Sequence, residues 1–199
     1  IKTTPIKYDV EKAKNYLEEA GWKLPSGKSV REKEGKALEL ELMYDKSNQI
    51  QKAMAEALQA EWVMIGVKLN ITGVELPVQV KRFGENDFDL NFYSNYGAPY
   101  DPHTFLNIVS MDGFGFSDAL SSLPLKQQLD QQIKEVFAST DEKKRKELYN
   151  SILQTLQDQA AIVPISYIKK TAVYQKDVTS FEFPANRDDH PFTGININN

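Results

Sequence analysis

Hydrophobic and polar positions in the first half of the chain alternate between two periods. Alternation over 37–44 predicts a half-buried strand, and apolar positions at helical spacing over 48–65 predict an amphipathic helix. A run rich in β-branched residues over 67–74 predicts a second strand. A short helix over 76–83 and an alternating strand over 88–93 follow. This order of strand, helix, strand, helix, strand predicts two right-handed crossovers in a parallel sheet.

The rest of the chain predicts mostly helices. Asp9 is expected to cap a helix that Gly21 ends, and the charged segment over 23–36 predicts a solvated loop or an exposed hairpin. The glycine- and serine-rich stretch 111–122 predicts a loop with exposed aromatics, Phe114 and Phe116. Later elements are expected to be helices over 125–138 and 141–158, strands over 161–168 and 171–175, and an irregular tail over 181–199. Together they predict an α/β fold whose sheet is flanked by helices.

Periodicity also predicts which helical residues are buried. The helix over 48–65 is expected to bury an apolar stripe of Ile50, Ala53, Met54, Ala57, Leu58 and Ile65. The helix over 125–138 is expected to bury Leu129, Ile133, Val136 and Phe137.

The stretch 95–103 joins the third predicted strand to a short apolar segment. Gly97, Pro99 and Pro102 predict a loop, and it carries Tyr96 and Tyr100. In parallel sheets, ligands bind beyond the carboxyl ends of the strands, which favours ligand contact by these tyrosines. A turn whose tyrosines cover the core is the alternative.

Composition excludes several classes of protein. The net charge of −4 implies no general affinity for nucleic acid, and no apolar run is long enough to cross a bilayer. The chain has no cysteine and two histidines, which argues against a metal site built from several imidazoles or thiolates. The absence of cysteine fits an exported protein without establishing export. A chain that starts at Ile1 is expected to be a mature piece or an excised fragment.

Catalytic motifs are absent from the sequence. It has no nucleophile elbow, phosphate loop, dinucleotide fingerprint or zinc-protease helix, so no enzymatic activity is expected. Asp87 and Asp89 flank one strand position, where mutual repulsion favours solvent exposure over paired-carboxylate catalysis. The run Asp188, Asp189, His190 is either a patch of hard metal ligands or a solvated turn.

Three segments together resemble one family. Tyr8–Leu17 with Ala20–Trp22, the junction from Leu58 through Trp62 to Val67, and Ala161–Tyr167 are similar, in order, to motifs of the extracytoplasmic solute-binding proteins of family 5. These proteins serve dipeptide, oligopeptide and nickel ABC importers. The resemblance implies one lobe of a class II periplasmic-binding-protein-like fold, with residues 1–180 as the C-terminal lobe and 181–199 as a tail returning toward a missing N-terminal lobe.

Within that family, the loop Tyr96–His103 resembles the corresponding loop of the nickel-binding members. The resemblance implies uptake of Ni(II) as a small chelate, with free histidine as a candidate chelator, and no catalytic cofactor. It implies that Tyr96 and Tyr100 line the ligand cleft. Peptide binding is the alternative.

The resemblance also suggests other ligand-binding residues. A metal-ligating histidine of a relative falls near Phe114 here, which places Phe114 near the ligand. Arg187 and Asp188 lie in a tail segment that returns to the cleft in relatives, and His190 is the candidate to supply the missing imidazole. His103 is expected to order the turn.

The implied partners are membrane permease subunits of an ABC importer, and no nucleic acid. The implied location is extracytoplasmic. The full-length protein would be lipid-anchored at the cell surface of a Gram-positive organism or would be periplasmic.

Overall fold

The computed structural model describes residues 3–4, 6–94, 102–110, 115–121, 123–166, 169, 171–184 and 194–197, without the side chains of Gly115, Ser117 and Asp118. The chain divides into two compact units. The sheet unit comprises the described residues up to Ser94 together with 115–121. The helical unit comprises 102–110 and the described residues from Leu123 onward.

The sheet unit contains most of the regular elements. In chain order these are α1 (Val10–Glu19), β1 (Glu32–Lys33), β2 (Lys36–Ala37), β3 (Glu39–Asp45), α2 (Gln49–Val63), β4 (Lys68–Val74), α3 (Leu76–Gly84), β5 (Leu90–Asn91) and α5 (Gly115–Ser121). The main sheet has the order β4-β3-β5, and both neighbours run parallel to β3. The predicted parallel sheet is therefore confirmed, although the third strand is shorter than expected.

Two predicted caps of this unit form as the sequence indicates. Lys12 N–H donates to Asp9 Oδ1 at 2.9 Å at the start of α1, and Asn48 Oδ1 accepts from two backbone N–H groups at the start of α2. The segment 23–36 contains the short antiparallel hairpin β1–β2, one of the two predicted alternatives. Its Arg31 is 4% exposed, so the expectation of a uniformly solvated charge run is wrong for that residue.

Helix α2 packs on the sheet through a stripe that overlaps the predicted one only in part, because Leu58 belongs to both. Ala55 is fully buried, and Leu58 and Trp62 pack against the core of Leu42, Tyr44 and Leu69. Ile50 is 66% exposed, and Ala53 and Ala57 are exposed as well. Burying Leu58 and Trp62 removes more apolar surface from water than burying two alanines, so the large residues set the rotation of the helix.

The helical unit contains α4 (Pro102–Val109), α6 (Lys126–Ala138) and α7 (Glu142–Asp158), with α6 packed on α7. Asp141 caps α7 by accepting from Lys143 N–H and Lys144 N–H. The buried residues are Leu106, Val109, Leu129, Ile133, Val136, Tyr149, Ile152 and Leu156. Phe137 was expected inside but is 38% exposed, and its ring centroid lies 4.5 Å from that of His103.

The two late strands do not form in the part of the chain that the structure describes. Residues 161–166 and 171–175 are irregular, and Val163, Ile165 and Val173 are exposed. An alternating apolar run becomes a strand only where another strand accepts and donates its backbone hydrogen bonds, and no described segment does so here.

Candidate functional site

The carboxyl ends of the three parallel strands meet at one edge of the sheet. Lys46 N–H donates to Val74 O at 2.8 Å, which ties the end of β3 to the end of β4. Asp45 Oδ1 accepts from the backbone N–H of Ser47 at 2.9 Å and from its hydroxyl at 2.8 Å. This edge, at which Asn91 ends β5, is therefore fixed by short-range hydrogen bonds. In a parallel sheet it is the edge beside which ligands bind.

A polar pair, Gln79 buried and Asn91 half-buried, lies beside the end of β5. Gln79, on the inner face of α3, is 5% exposed, and its Nε2 donates to Asn91 Oδ1 at 2.8 Å. A buried amide without a partner would cost free energy, and this bond gives the buried Gln79 nitrogen an acceptor.

Four aromatic rings pack around the chain that leaves β5. The ring centroid of Phe83 lies 5.2 Å from that of Phe88, 5.9 Å from that of Tyr93 and 5.5 Å from that of Phe116. Tyr93 meets Phe116 edge-on at 4.7 Å. Such pairs combine apolar burial with favourable ring geometry. Phe116 is therefore a core residue on helix α5, and the prediction that it lies exposed in a loop is wrong.

Two carboxylates predicted to be non-catalytic have separate partners. Asp87 Oδ2 accepts from Arg82 Nε at 2.8 Å, whereas Asp89 Oδ2 accepts from Glu41 N–H at 2.8 Å. Arg82 Nη2 also donates to Glu41 Oε2 at 2.6 Å. Asp87 and Asp89 therefore have different direct partners, and both are linked to Glu41, Asp87 through Arg82 and Asp89 through the Glu41 backbone N–H.

The ion pairs of the sheet unit shift the pKa values of its acids. The bond from Arg82, and a lesser one from Thr72, lower the pKa of Glu41 below 4.5. In return, Glu41 and then Asp87 raise the pKa of the Arg82 guanidinium. At the end of α1, hydrogen bonds from Lys23 and then Arg31 lower the pKa of Glu18. Apart from the buried Arg31, these groups are exposed or half-buried, and their ion pairs stabilise the fold.

The residues predicted to contact ligand lie outside the part of the chain that the structure describes. They are Tyr96, Tyr100, Phe114, Arg187, Asp188 and His190. Of the two histidines, His103 is described and lies in the first turn of α4. Across the described ranges, no group of three or more histidine, aspartate or glutamate side chains could hold a metal ion.

A groove of about 480 Å³ lies along the amino-terminal half of β4. Ala60, Val63 and Val67 are among its lining residues, and so are Gln59 and Leu69, which are joined by a hydrogen bond from Gln59 Nε2 to Leu69 O at 2.6 Å. Because it lies at the amino end of β4, it is separate from the strand edge described above.

Comparison with known proteins identifies the family to which this α/β chain belongs. Residues 1–115 match the middle region of the bacterial extracellular solute-binding proteins, family 5, and the chain belongs to this family. The NikA structure from Brucella suis in complex with Fe(III)-EDTA superposes with a TM-score of 0.93 at 33% identity, covering all of this chain and 40% of that one. The fold is thus that of a class II periplasmic-binding-protein-like lobe.

Curated relatives include metal and peptide binders. The nickel-binding periplasmic protein of Escherichia coli is 37% identical over 96% of this chain, and di/tripeptide-binding protein 1 of Pseudomonas aeruginosa is 30% identical over 88%. The chain spans 36% and 30% of their respective lengths. The family is one of extracytoplasmic solute-binding proteins rather than enzymes. No helix in the described ranges is long and apolar enough to span a membrane.

Sequence reasoning missed Gln79 and Asn91 as a pair. Gln79 lies four residues before Phe83, so both fall on one face of α3. The available signal was that Gln79, a polar residue, occupies a helical position at which the spacing of its apolar neighbours predicts burial, and a buried amide needs a hydrogen-bonding partner. The identity of that partner depends on the packing of α3 against the end of β5, which local sequence does not specify.

Proposed function

We propose that the chain is the C-terminal lobe, with its tail, of the substrate-binding component of a nickel ABC importer. On this proposal, residues 1–180 form the lobe and 181–199 return toward an N-terminal lobe. The observation that carries the proposal is the 37% identity to a nickel-binding periplasmic protein over nearly the whole chain. The loop Tyr96–His103 adds support through its resemblance to nickel-binding members.

The proposed ligand is Ni(II) held by a small chelator such as free histidine. Nickel binds imidazole nitrogen and carboxylate oxygen. This chain has two histidines and no cysteine, so it offers few nitrogen or sulfur ligands of its own, and a chelator would supply the others. Tyr96 and Tyr100 would stack against the chelate, with Phe114 completing an apolar wall. Arg187 would pair with a chelator carboxylate and Asp188 would accept hydrogen bonds. His190 would supply an imidazole to the metal.

The proposed mechanism is capture by lobe closure. Chelate bound against one lobe favours the closed state only by its additional contacts with the other lobe, since a ligand shifts an equilibrium by its differential affinity. The closed protein would then deliver the chelate to the membrane permease. The protein would work outside the cytoplasm, lipid-anchored at the surface of a Gram-positive cell or free in a periplasm.

Peptide import is the second candidate function. It is favoured by the 30% identity to a di/tripeptide-binding protein. A peptide would bind in the same place but mainly through its backbone, which hydrogen-bonds to an exposed strand.

Calorimetric titration of the two-lobe protein tests the proposal. We expect heat of binding with nickel plus excess histidine, and none with nickel alone or with a pool of dipeptides to pentapeptides. Tyr100→Ala should weaken chelate binding at nearly unchanged thermal stability, whereas Tyr8→Ala, at a 74% exposed tyrosine, should bind as the wild type does. Binding of peptides without a response to nickel would assign the protein to peptide import.

A further inference from the structure

The segment 171–183 of the helical unit doubles back on itself. Val178 N–H donates to Gln175 O at 3.1 Å, and this turn separates an outgoing arm, 171–174, from a returning arm, 178–183. The two arms differ in what their backbones bind.

Only the returning arm has a backbone partner in the part of the chain that the structure describes. Val178 forms an antiparallel bridge with Ile197, and Thr179 N–H donates to Asn196 O at 3.0 Å. The outgoing arm forms no backbone hydrogen bond with any described residue. Its N–H and C=O groups are therefore available to another strand.

The outgoing arm also exposes apolar side chains. Val173 is 95% exposed and Tyr174 is 57% exposed. Proteins usually protect an unpaired edge with charged residues or proline, and the sequence of 171–175, Thr-Ala-Val-Tyr-Gln, contains neither. β-branched and aromatic residues favour strands. An uncharged, strand-forming segment with exposed apolar side chains is typical of a surface that another part of a protein covers.

Stacked aromatic rings hold the outgoing arm against the returning one. The ring centroid of Tyr174 lies 5.6 Å from that of Phe181, which lies 5.1 Å from that of Phe183. These ring contacts leave the backbone of the outgoing arm unused. The arm is thus held in place before any partner binds, which lowers the entropic cost of pairing.

We propose that the outgoing arm is a docking strand for the lobe that lies outside this chain, and that a β-strand of that lobe pairs with it and covers Val173. The chain spans 36% of the length of the nickel-binding relative, so a protein of that length has most of its residues elsewhere. A strand of the same polypeptide is present at a high effective concentration, which favours it over a second copy of the chain. The inference rests on the two-lobe part of the proposed function and is independent of the ligand.

Amide hydrogen exchange in the two-lobe protein, without ligand, tests the pairing. We expect the amides of 171–175 to exchange at least about a hundredfold more slowly than in an unstructured peptide of the same sequence, because a paired strand exchanges only when it opens. Exchange at the rate of the free peptide would overturn the proposal. Slow exchange that becomes fast on dilution would assign the partner to a second copy and would overturn it as well.

Substitutions at Val173 test whether the side chain is covered. In the two-lobe protein, Val173→Asp should lower the melting temperature and speed the exchange of 171–175 at least about tenfold, because it would bury a charge. Val173→Thr keeps the β-branched shape and should keep slow exchange with a smaller loss of melting temperature. Ile50→Asp is the matched control, at a 66% exposed aliphatic residue of α2, and should change neither quantity.

Wild-type behaviour of Val173→Asp would show that Val173 stays exposed in the two-lobe protein and would overturn the proposal. None of these measurements uses a ligand. Their failure would leave nickel or peptide binding standing, and a protein that binds neither ligand would leave the docking strand standing.

Discussion

A Cβ atom placed at Gly66 would lie 2.9 Å from Cγ of Arg31. The two residues are also joined by their backbones, since Arg31 N–H donates to Gly66 O at 2.8 Å. The guanidinium continues the junction, with Nε donating to Ile65 O at 2.7 Å and Nη1 donating to Trp22 O at 2.9 Å and to Glu18. One side chain thereby connects the end of α1, the hairpin and the turn between α2 and β4.

Gly66→Ala should destabilise the chain by about 1–3 kcal/mol, because Gly66 has φ +80° and its new Cβ would press on an anchored arginine. Urea unfolding measures the difference. Gly84→Ala is the control, since it lies at the end of α3 with nothing within 4 Å of its Cβ position, and it should be neutral or slightly stabilising. Equal effects at the two glycines would contradict the steric account.

Arg31→Met should cost about 2–4 kcal/mol, because the carbonyls of Ile65 and Trp22 lose their charged donor in a nearly buried site. The control Arg145→Met, at a half-buried position of α7, loses the bond to Tyr149 Oη at 3.1 Å and the contact of the guanidinium with that ring, and should cost less than Arg31→Met does. The midpoints of urea unfolding give both free-energy costs when the slope of unfolding free energy against urea concentration is the same in wild type and variants. A near-neutral Arg31→Met would show that water replaces the guanidinium.

Acid should destabilise the protein through its paired carboxylates. The pKa of Glu41 is lowered chiefly by Arg82, so its ion pair stabilises the fold fully above the ordinary value of 4.5. That stability is lost as pH falls through the lowered pKa. We expect the melting temperature, followed by circular dichroism, to decline below about pH 4.5 and to decline less in Glu41→Gln. Glu19→Gln, at an exposed helix residue, should keep the wild-type profile.

The β1–β2 hairpin turns through two residues of positive φ, Glu34 at +53° and Gly35 at +77°. Hairpin turns of this kind favour asparagine followed by glycine. Glu34→Asn should therefore stabilise the chain by about 0.5–1 kcal/mol. Gly35→Ala, with nothing within 4 Å of its Cβ position, should destabilise it by about 1 kcal/mol from conformation alone. Thermal unfolding checks that Glu34→Asn raises the melting temperature and that Gly35→Ala lowers it.

The sequence predicted those elements that depend on interactions between residues close together in the chain. Asp9, Asn48 and Asp141 cap their helices because each short side chain reaches the N–H groups that follow it in sequence. The parallel direction of β3, β4 and β5 follows from strands separated by helices. Burial was less predictable where it depends on distant partners. In the sequence, Arg31 is one member of a charged segment, which favours exposure. It is buried because its guanidinium donates hydrogen bonds to oxygens of Glu18, Trp22 and Ile65.

The features of the candidate site also fall into those that the sequence predicts and those that depend on packing between distant residues. The site's expected place at the carboxyl edge of the sheet follows from the parallel direction of the strands, which the sequence predicts. The burial of Phe116 depends on where α5 packs, and a glycine- and serine-rich composition does not encode that position. The ligand-contacting roles of Tyr96 and Tyr100 come from resemblance to the family and stay predictions.

The sheet unit is discontinuous along the chain. Phe83, Phe88 and Tyr93 precede Ser94, whereas Phe116 belongs to α5 and follows the whole of α4. During synthesis the first three rings leave the ribosome before the fourth, so their shared cluster cannot close until α4 has also emerged. A chain cut after Ser94 would keep the sequence of all three strands and leave Phe83 and Tyr93 without their edge-on partner, because residues 115–121 are the last part of this unit to be synthesised.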